Sequence, residues 1–266
     1  MDAVKFLKGL MEGKKGLVAG VANERSLCWG VAQKLAEHGA QVGFTYAGEM
    51  LEKRVKPLAE SVGSDFVMEM DVTDDGAMDK VFEEWKDRFG KMDFLVHGAA
   101  YSDKNELKGF YYDTSRKNFM MTMDISVYSF AALAQRAQVL MDNEGAMLTL
   151  SFYGAQRAIP NYNVMGVAKA ALESSVRYLA ADLGPRNIRV NGISAGAVKT
   201  LASAGISNFK EMLRMGAAGS PMNRNITQEE VGNAGLYLLS DLSTAITGEV
   251  IFVDAGFHAA VVRPEV

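Results

Sequence analysis

Gly16-Leu17-Val18-Ala19-Gly20-Val21-Ala22-Asn23-Glu24-Arg25-Ser26-Leu27-Cys28-Trp29-Gly30 passes from an apolar run through a glycine into a helical pattern. An apolar run at 16–19 stops on Gly20, and a helical pattern opens at Ser26. A glycine between strand and helix lets the backbone come close to a ligand, and the amino end of the helix attracts an anion. Together these properties suit the pyrophosphate of a dinucleotide. The G-x-G-x-x-G spacing is absent, so a tight turn without a ligand is the competing reading.

The same alternation continues along the chain. Apolar runs at 16–19, 41–46, 65–70, 94–97, 146–150, 189–193 and 250–253 predict strands. Helical patterns at 26–38, 50–62, 77–89, 116–141, 164–183 and 227–239 fill the gaps, the last opening on a Thr227…Glu230 capping box. Strands alternating with helices predict a parallel sheet covered on both faces. The expected fold class is α/β, a single-domain, Rossmann-like, doubly wound parallel sheet over residues 1–266. Residues 200–224 break the rhythm and are rich in Ala, Gly, Ser and Met. An insertion at the carboxyl edge of such a sheet is expected to cover a substrate.

Composition narrows the class. At 266 residues, 48% of them hydrophobic, the chain can bury a substantial core. A net charge of −4 argues against a nucleic-acid protein. Cys28 is the only cysteine, which excludes an internal disulfide and predicts a small buried hydrophobe. No apolar run approaches the ~20 residues of a membrane span. Residues 1–15 carry lysines without a long apolar centre, so they do not read as a signal peptide, and a cytoplasmic protein is expected.

A second stretch carries the chemistry: Leu150-Ser151-Phe152-Tyr153-Gly154-Ala155-Gln156-Arg157-Ala158-Ile159-Pro160-Asn161-Tyr162-Asn163-Val164-Met165-Gly166-Val167-Ala168-Lys169. Seven helical steps separate Tyr162 from Lys169, which returns the side chain to nearly the same face ~10 Å further along. A cation there stabilises negative charge near the phenol and helps hold a ligand. Tyr46 with Lys53 and Tyr101 with Lys108 share the spacing but lack a preceding strand that ends in Ser. None of the nine tyrosines has a lysine four residues on. Phe44-Thr45-Tyr46 ends the second run with no acidic residue for a ribose, and Glu49, Lys53 and Arg54 follow, which leaves NADH and NADPH open. Asp71-Val72 suits an adenine or, equally, a helix cap. His38, His97 and His258 show no metal-ligand spacing, and His97 reads as a buried, hydrogen-bonded side chain. Met212 and Met215 are candidates for the lining of an apolar tunnel.

Taken together, these residues resemble the divergent short-chain dehydrogenase/reductase branch that contains the bacterial enoyl-acyl-carrier-protein reductases of type II fatty-acid synthesis. The resemblance runs from Gly13 to about His258. It rests on Gly20-Val21-Ala22 with Ser26 and Gly30, on Phe44-Thr45-Tyr46, and on Pro160 through Gly166 to Lys169. Arg189-Val190-Asn191, Ser194-Ala195-Gly196 and Gly248-Glu249-Val250 complete it. In that branch Tyr-x6-Lys marks the enoyl reductases, whereas carbonyl-reducing relatives use Tyr-x3-Lys. The resemblance implies NAD(P)H-dependent reduction of the trans-2 double bond of an enoyl thioester carried by acyl carrier protein, with NADH expected and NADPH open. Tyr162 would donate to the thioester oxygen and Lys169 would hold the nicotinamide ribose. Cofactor contacts are implied at Gly20, Ser26, Leu27, Ala47, Asp71, Val72, Ala99, Lys169, Val198, Lys199, Thr200, Leu201 and Ala202. Substrate contacts are implied at Ser102, Phe152 and Tyr153, and a homotetramer follows in the same way.

The chain departs from that pattern in several places. Phe152 stands where a second tyrosine is common, and Tyr153 beside it is expected to point elsewhere. Gly98-Ala99-Ala100 replaces Ser-Ile-Gly, Ala197 a proline and Ala47 a glutamine. These departures bear on cofactor preference and inhibitor response more than on reaction class. A carbonyl or alcohol oxidoreductase of the same fold is disfavoured by the missing Tyr-x3-Lys, and a non-catalytic dinucleotide-binding regulator by the retained Tyr162 and Lys169. An acidic carrier approaching this acidic chain needs a local basic patch, for which Lys199, Lys210, Arg214 and Arg224 are the candidates.

Overall fold

In the computed structural model, which describes residues 9–200 and 209–260, seven parallel strands form one sheet. In chain order they are β1 (Lys15–Ala19), β2 (Gln41–Tyr46), β3 (Val67–Glu69), β4 (Phe94–His97), β5 (Gly145–Phe152), β6 (Ile188–Ala195) and β7 (Val250–Val253). The spatial order β3-β2-β1-β4-β5-β6-β7 reverses direction between β1 and β4. That reversal opens a crevice at the carboxyl ends of β1 and β4, the general ligand position of such sheets. The doubly wound α/β fold read from the sequence is the fold observed.

The helices are α1 (Leu27–Glu37), α2 (Glu49–Ser61), α3 (Asp75–Phe89), α4 (Arg116–Met123), α5 (Ser129–Ala137), α6 (Asn163–Leu183), α7 (Phe209–Gly219) and α8 (Gln228–Leu239). Alternation along each strand decides which face each side chain enters. Leu17, Leu95, Met147 and Val190 join one core with Trp85 of α3, Phe130 of α5, and Leu172 and Val176 of α6. Val18, Val96, Leu148 and Ile193 join the other, with Val31 and Leu35 of α1, Val55 of α2 and Val231 of α8. Burial on both faces is why the strands read as unbroken apolar runs rather than alternating ones. Among the described residues no helix is long and apolar enough to cross a membrane.

Gly30 fixes where α1 lies. A β-carbon there would fall 2.6 Å from the Gln228 side chain, and one on Gly232 only 2.4 Å from the Gly30 carbonyl oxygen. The two helices therefore touch backbone to backbone, and the reciprocal Thr227–Glu230 capping box starts α8 at that contact.

Several element boundaries differ from the sequence reading. β3 is shorter than 65–70 because it is an edge strand, paired only over Phe44–Tyr46 of β2. β5 and β6 outrun 146–150 and 189–193, since they pair with each other as far as Phe152 and Ala195. The helix expected at 116–141 is interrupted by a π-helical segment at Asp124–Tyr128 and closes in a 3-10 turn at Gln138–Leu140. In that segment the Ser126 hydroxyl accepts from the Tyr101 amide at 3.1 Å, and the Ser129 hydroxyl donates to the Ile125 carbonyl at 2.7 Å. Within the 200–224 insertion, residues 209–219 form α7.

Candidate active site

The crevice begins at Gly20. Its φ of +112° lies in a region that favours glycine, and a β-carbon there would sit 2.4 Å from the Gly98 carbonyl carbon. The turn after β1 is thus wedged against the end of β4, where the Gly98 amide donates to the Ala19 carbonyl at 2.8 Å. The Ser26 hydroxyl turns back to accept from the Ala22 and Asn23 amides at 2.9 and 3.1 Å, and so does not cap α1. Asp74, Ser115 and Thr227 do cap α3, α4 and α8. An uncapped helix start with no acidic residue in its first turn, beginning at Leu27, fits the diphosphate of a dinucleotide. Cys28 lies behind the turn, its thiol pushed up to about 12 by burial, and fills space against Gly98 as a neutral group.

The other positions at which the resemblance implies cofactor contacts follow the strand ends. Ala47 is exposed beyond β2, and the neighbouring Gly48 amide donates to Glu69 Oε1 of β3 at 3.2 Å. Asp71 accepts from the Thr73 amide and hydroxyl at 2.9 and 2.8 Å, closing a turn, while the cap of α3 falls to Asp74. Val72 is buried, whereas Ala99, Val198 and Thr200 are half-buried and Lys199 is exposed. Leu201 and Ala202 lie outside the described residues.

Tyr162 and Lys169 sit where α6 meets β5. Tyr162 occupies the cap position of α6 and is buried, which pushes its phenol above the ordinary value. Its ring packs edge-on against Phe152, with centroids 5.0 Å apart. A β-carbon on Gly154 would meet that ring at 2.5 Å, and one on Gly166 would meet the Gly154 carbonyl oxygen at 2.8 Å. Two glycines therefore fix the position of the phenol. Lys169 is also buried and donates to the Leu150 carbonyl at 2.7 Å. Burial brings its ammonium down to about 8, against the opposing pull of Cys28 and Glu173. One turn further along α6, Glu173 accepts from the Ser151 hydroxyl at 2.6 Å, so consecutive residues of β5 are tied to consecutive turns of the helix.

His97 is buried between Thr149 and Ser129, at 2.9 and 2.8 Å. Burial, and then the Lys169 charge, hold it down to about 3, which keeps it neutral. It anchors α5 to the sheet, in keeping with the structural role read from the sequence.

Beyond Phe152 lies a cavity of about 240 Å³, lined by Phe152, Tyr153, Ile159, Met215, Phe257 and Ser194 among others. Tyr153 does point away from Tyr162, packing edge-on against Phe252 and Phe257, yet it lines this cavity. Ser102 does not line it. Its hydroxyl accepts from Thr122 at 3.0 Å and pairs with Asn118, which ties the 98–108 loop to α4. Met215 brings α7 over the cavity, and the Met212 side chain lies outside the described residues. Of the proposed basic rim, Arg214 is paired with Glu211 and Arg224 with Glu230, while the Lys210 side chain is outside the described residues.

Sequence reading missed Glu173, Thr149, Ser129 and Phe257. Glu173 was detectable, standing four residues after Lys169 on the same helical face. The others meet the site only through tertiary packing.

The family model for enoyl-(acyl carrier protein) reductase matches residues 20–258. The chain belongs to that family. Enoyl-[acyl-carrier-protein] reductase [NADH] 2 of Rhizobium meliloti is 57% identical over 252 residues, 95% of this chain and 94% of the relative. Enoyl-[acyl-carrier-protein] reductase [NADH] FabI of Rickettsia felis is 54% identical over 250 residues, 94% of this chain and 96% of the relative. Among solved structures, the reductase of Anaplasma phagocytophilum in complex with NAD superimposes with a TM-score of 0.93 at 53% identity, covering 96% of this chain and 98% of that one.

Proposed function

We propose that this chain reduces the trans-2 double bond of enoyl-acyl-carrier-protein thioesters in fatty-acid elongation. The observation that carries the reading is the buried Tyr162, held beside an apolar cavity with Lys169 two turns along the same helix. When bound, the reduced nicotinamide supplies hydride to the β-carbon of the enoyl group. The chain's own residues do the rest. Tyr162, its phenol kept protonated by burial, donates to the thioester oxygen as negative charge grows there, an oxyanion-type stabilisation. Lys169 exchanges the Leu150 carbonyl for the ribose hydroxyls and so sets cofactor and phenol in register. The apolar cavity walls exclude water from the acyl portion.

NADH is the cofactor this reading favours. The Rhizobium meliloti and Rickettsia felis relatives are named as NADH reductases, and Glu69 occupies the Gly48 amide at the ribose end of the cleft, where a 2′-phosphate would meet a carboxylate. Acyl carrier protein as partner, a homotetrameric assembly and a cytoplasmic location belong to the same proposal, supported by the family. A Tyr-x3-Lys carbonyl reductase is disfavoured by Gly166, since its place against the Gly154 carbonyl leaves no room for a lysine side chain. The test is cofactor oxidation with crotonyl thioester against a ketoacyl thioester. Turnover of the enoyl substrate alone, faster with NADH than with NADPH, is expected. Turnover of the ketoacyl substrate alone would overturn the reading.

A further inference from the structure

Three charged side chains are buried among the described residues, Lys169, Glu173 and Asp254, each 7% exposed. A charge taken out of water is expensive unless an opposite charge or several hydrogen bonds compensate it. Asp254 accepts from the Gly256 and His258 amides at 2.9 and 2.8 Å and meets the His258 ring at 3.0 Å. That leaves a buried cation and a buried anion one turn apart on α6. The mechanism uses Lys169 and gives Glu173 no part.

Both side chains spend their hydrogen bonds on β5. Lys169 Nζ donates to the Leu150 carbonyl at 2.7 Å, and Glu173 Oε1 accepts from the Ser151 hydroxyl at 2.6 Å. The carboxylate is thus held in place while the ammonium can still exchange its carbonyl partner for a ligand. Around Lys169, α1 presents the Cys28 thiol, β4 the His97 imidazole and the start of α6 the Tyr162 phenol, all neutral near pH 7. Burial lowers the ammonium to about 8, opposed by Cys28 and then by Glu173. The thiol, pushed up to about 12, carries no charge in that range, so the opposing charge is the carboxylate. Elsewhere on the elements packed against α6, Arg136 turns to Asp75 and Asp79, Arg189 turns to the Leu238 and Ser240 carbonyls, and Asp124 is half-buried.

We propose that Glu173 is a positioning residue, the fixed counter-charge that keeps Lys169 an ammonium while it releases the Leu150 carbonyl and takes the nicotinamide ribose hydroxyls. The assignment rests on the reading of Lys169 as the ribose ligand, and its test needs no turnover. NADH is titrated by fluorescence between pH 6 and 9.5 into wild type, Glu173→Gln and Glu173→Asp. In wild type, affinity is expected to fall as pH rises past about 8, where Lys169 gives up its proton. The glutamine can still accept from Ser151 but carries no charge. Loss of a neighbouring negative charge makes the ammonium release its proton more readily, so the midpoint should fall in Glu173→Gln. A unit charge roughly 6–10 Å away, at an effective dielectric constant of about 20, moves it by about one to two pH units. At pH 7.5 the NADH Kd of Glu173→Gln should be about threefold to tenfold weaker, the difference between a charge-assisted and a neutral hydrogen bond, with a smaller loss at pH 6. Glu173→Asp keeps the charge and should keep the wild-type midpoint.

A Glu173→Gln midpoint equal to that of wild type would overturn the assignment. So would a Kd weakened by the same factor at every pH, which would show that Glu173 serves the fold through Ser151 alone. A midpoint lowered in Glu173→Asp, or a wild-type affinity that does not vary over this range, would overturn it whether or not Glu173→Gln folds. A lowered midpoint in Glu173→Gln, in a protein whose wild type binds NADH but fails to oxidise it with crotonyl coenzyme A, would support the role of Glu173 and refute the reductase reading.

Discussion

Replacing Lys169 with Met separates the stability cost of this side chain from its use. Burial lowers the ammonium from 10.5 to about 8, an interval worth roughly 3 kcal/mol against the charged form in the folded chain. The direction of the pH dependence follows from which state holds the proton. Below about pH 8 folded and unfolded chains are both protonated, and the full penalty applies. Between about 8 and 10.5 the unfolded chain keeps a proton that the folded chain has released, so stability rises with pH. Lys169→Met removes that penalty and also the bond to the Leu150 carbonyl, which offsets about 1 kcal/mol. At pH 7 the variant is therefore expected to be more stable than wild type by about 2 kcal/mol. At pH 9.5 wild type has regained about 2 kcal/mol and the difference closes. The assay is urea unfolding of the cofactor-free protein at both pH values, followed by circular dichroism. A variant less stable than wild type at pH 7, or a difference that does not change with pH, would refute the reasoning. The same variant is expected to bind NADH more weakly, which would explain why a costly side chain is kept.

Tyr162→Phe should lower enoyl turnover by about 10²–10³-fold while sparing NADH affinity, since one donor to the developing charge is lost; steady-state kinetics beside fluorescence titration would show it. Gly20→Ala meets both a φ of +112° and the Gly98 backbone at 2.4 Å, so a loss of about 1–3 kcal/mol in urea unfolding is expected, together with weaker NADH binding. Trp85→Ala, far from the crevice in the core beneath α3, should cost about 3–5 kcal/mol and leave the NADH Kd of the folded protein unchanged. Amide exchange in α7 should slow when cofactor and a thioester are both bound, as expected if Met215 closes over the cavity, and equal rates with and without ligands would remove α7 from the substrate site.

The sheet was legible because both its faces are buried. Val18, Val96 and Leu148 enter one core and Leu17, Leu95 and Met147 the other, so every strand is written as an apolar run. Tyr162 and Lys169 were legible because helical spacing is local. The π-helical interruption at Asp124–Tyr128 was not, because it coincides with hydroxyl contacts made across the fold, from Ser126 to Tyr101 and from Ser129 to His97. The partners of Ser102 were not legible for a similar reason. Its hydroxyl meets Asn118 and Thr122 of α4, which no local pattern announces. Arg214 and Arg224 looked like a docking rim as isolated cations. Their carboxylate partners, Glu211 and Glu230, lie three and six residues away. The first of those pairings is readable from helical spacing, and the second depends on how the chain enters α8.

Whether hydride reaches the β-carbon of an enoyl thioester is read out by incubating the protein with crotonyl coenzyme A and NADH carrying deuterium at the transferred position of the nicotinamide, then analysing the product by mass spectrometry and NMR. Butyryl coenzyme A with one deuterium at C3 and a solvent-derived hydrogen at C2 is expected, and a Tyr162→Phe protein should make the same product more slowly. Deuterium found at the thioester carbon, or a product in which the double bond survives, would contradict it.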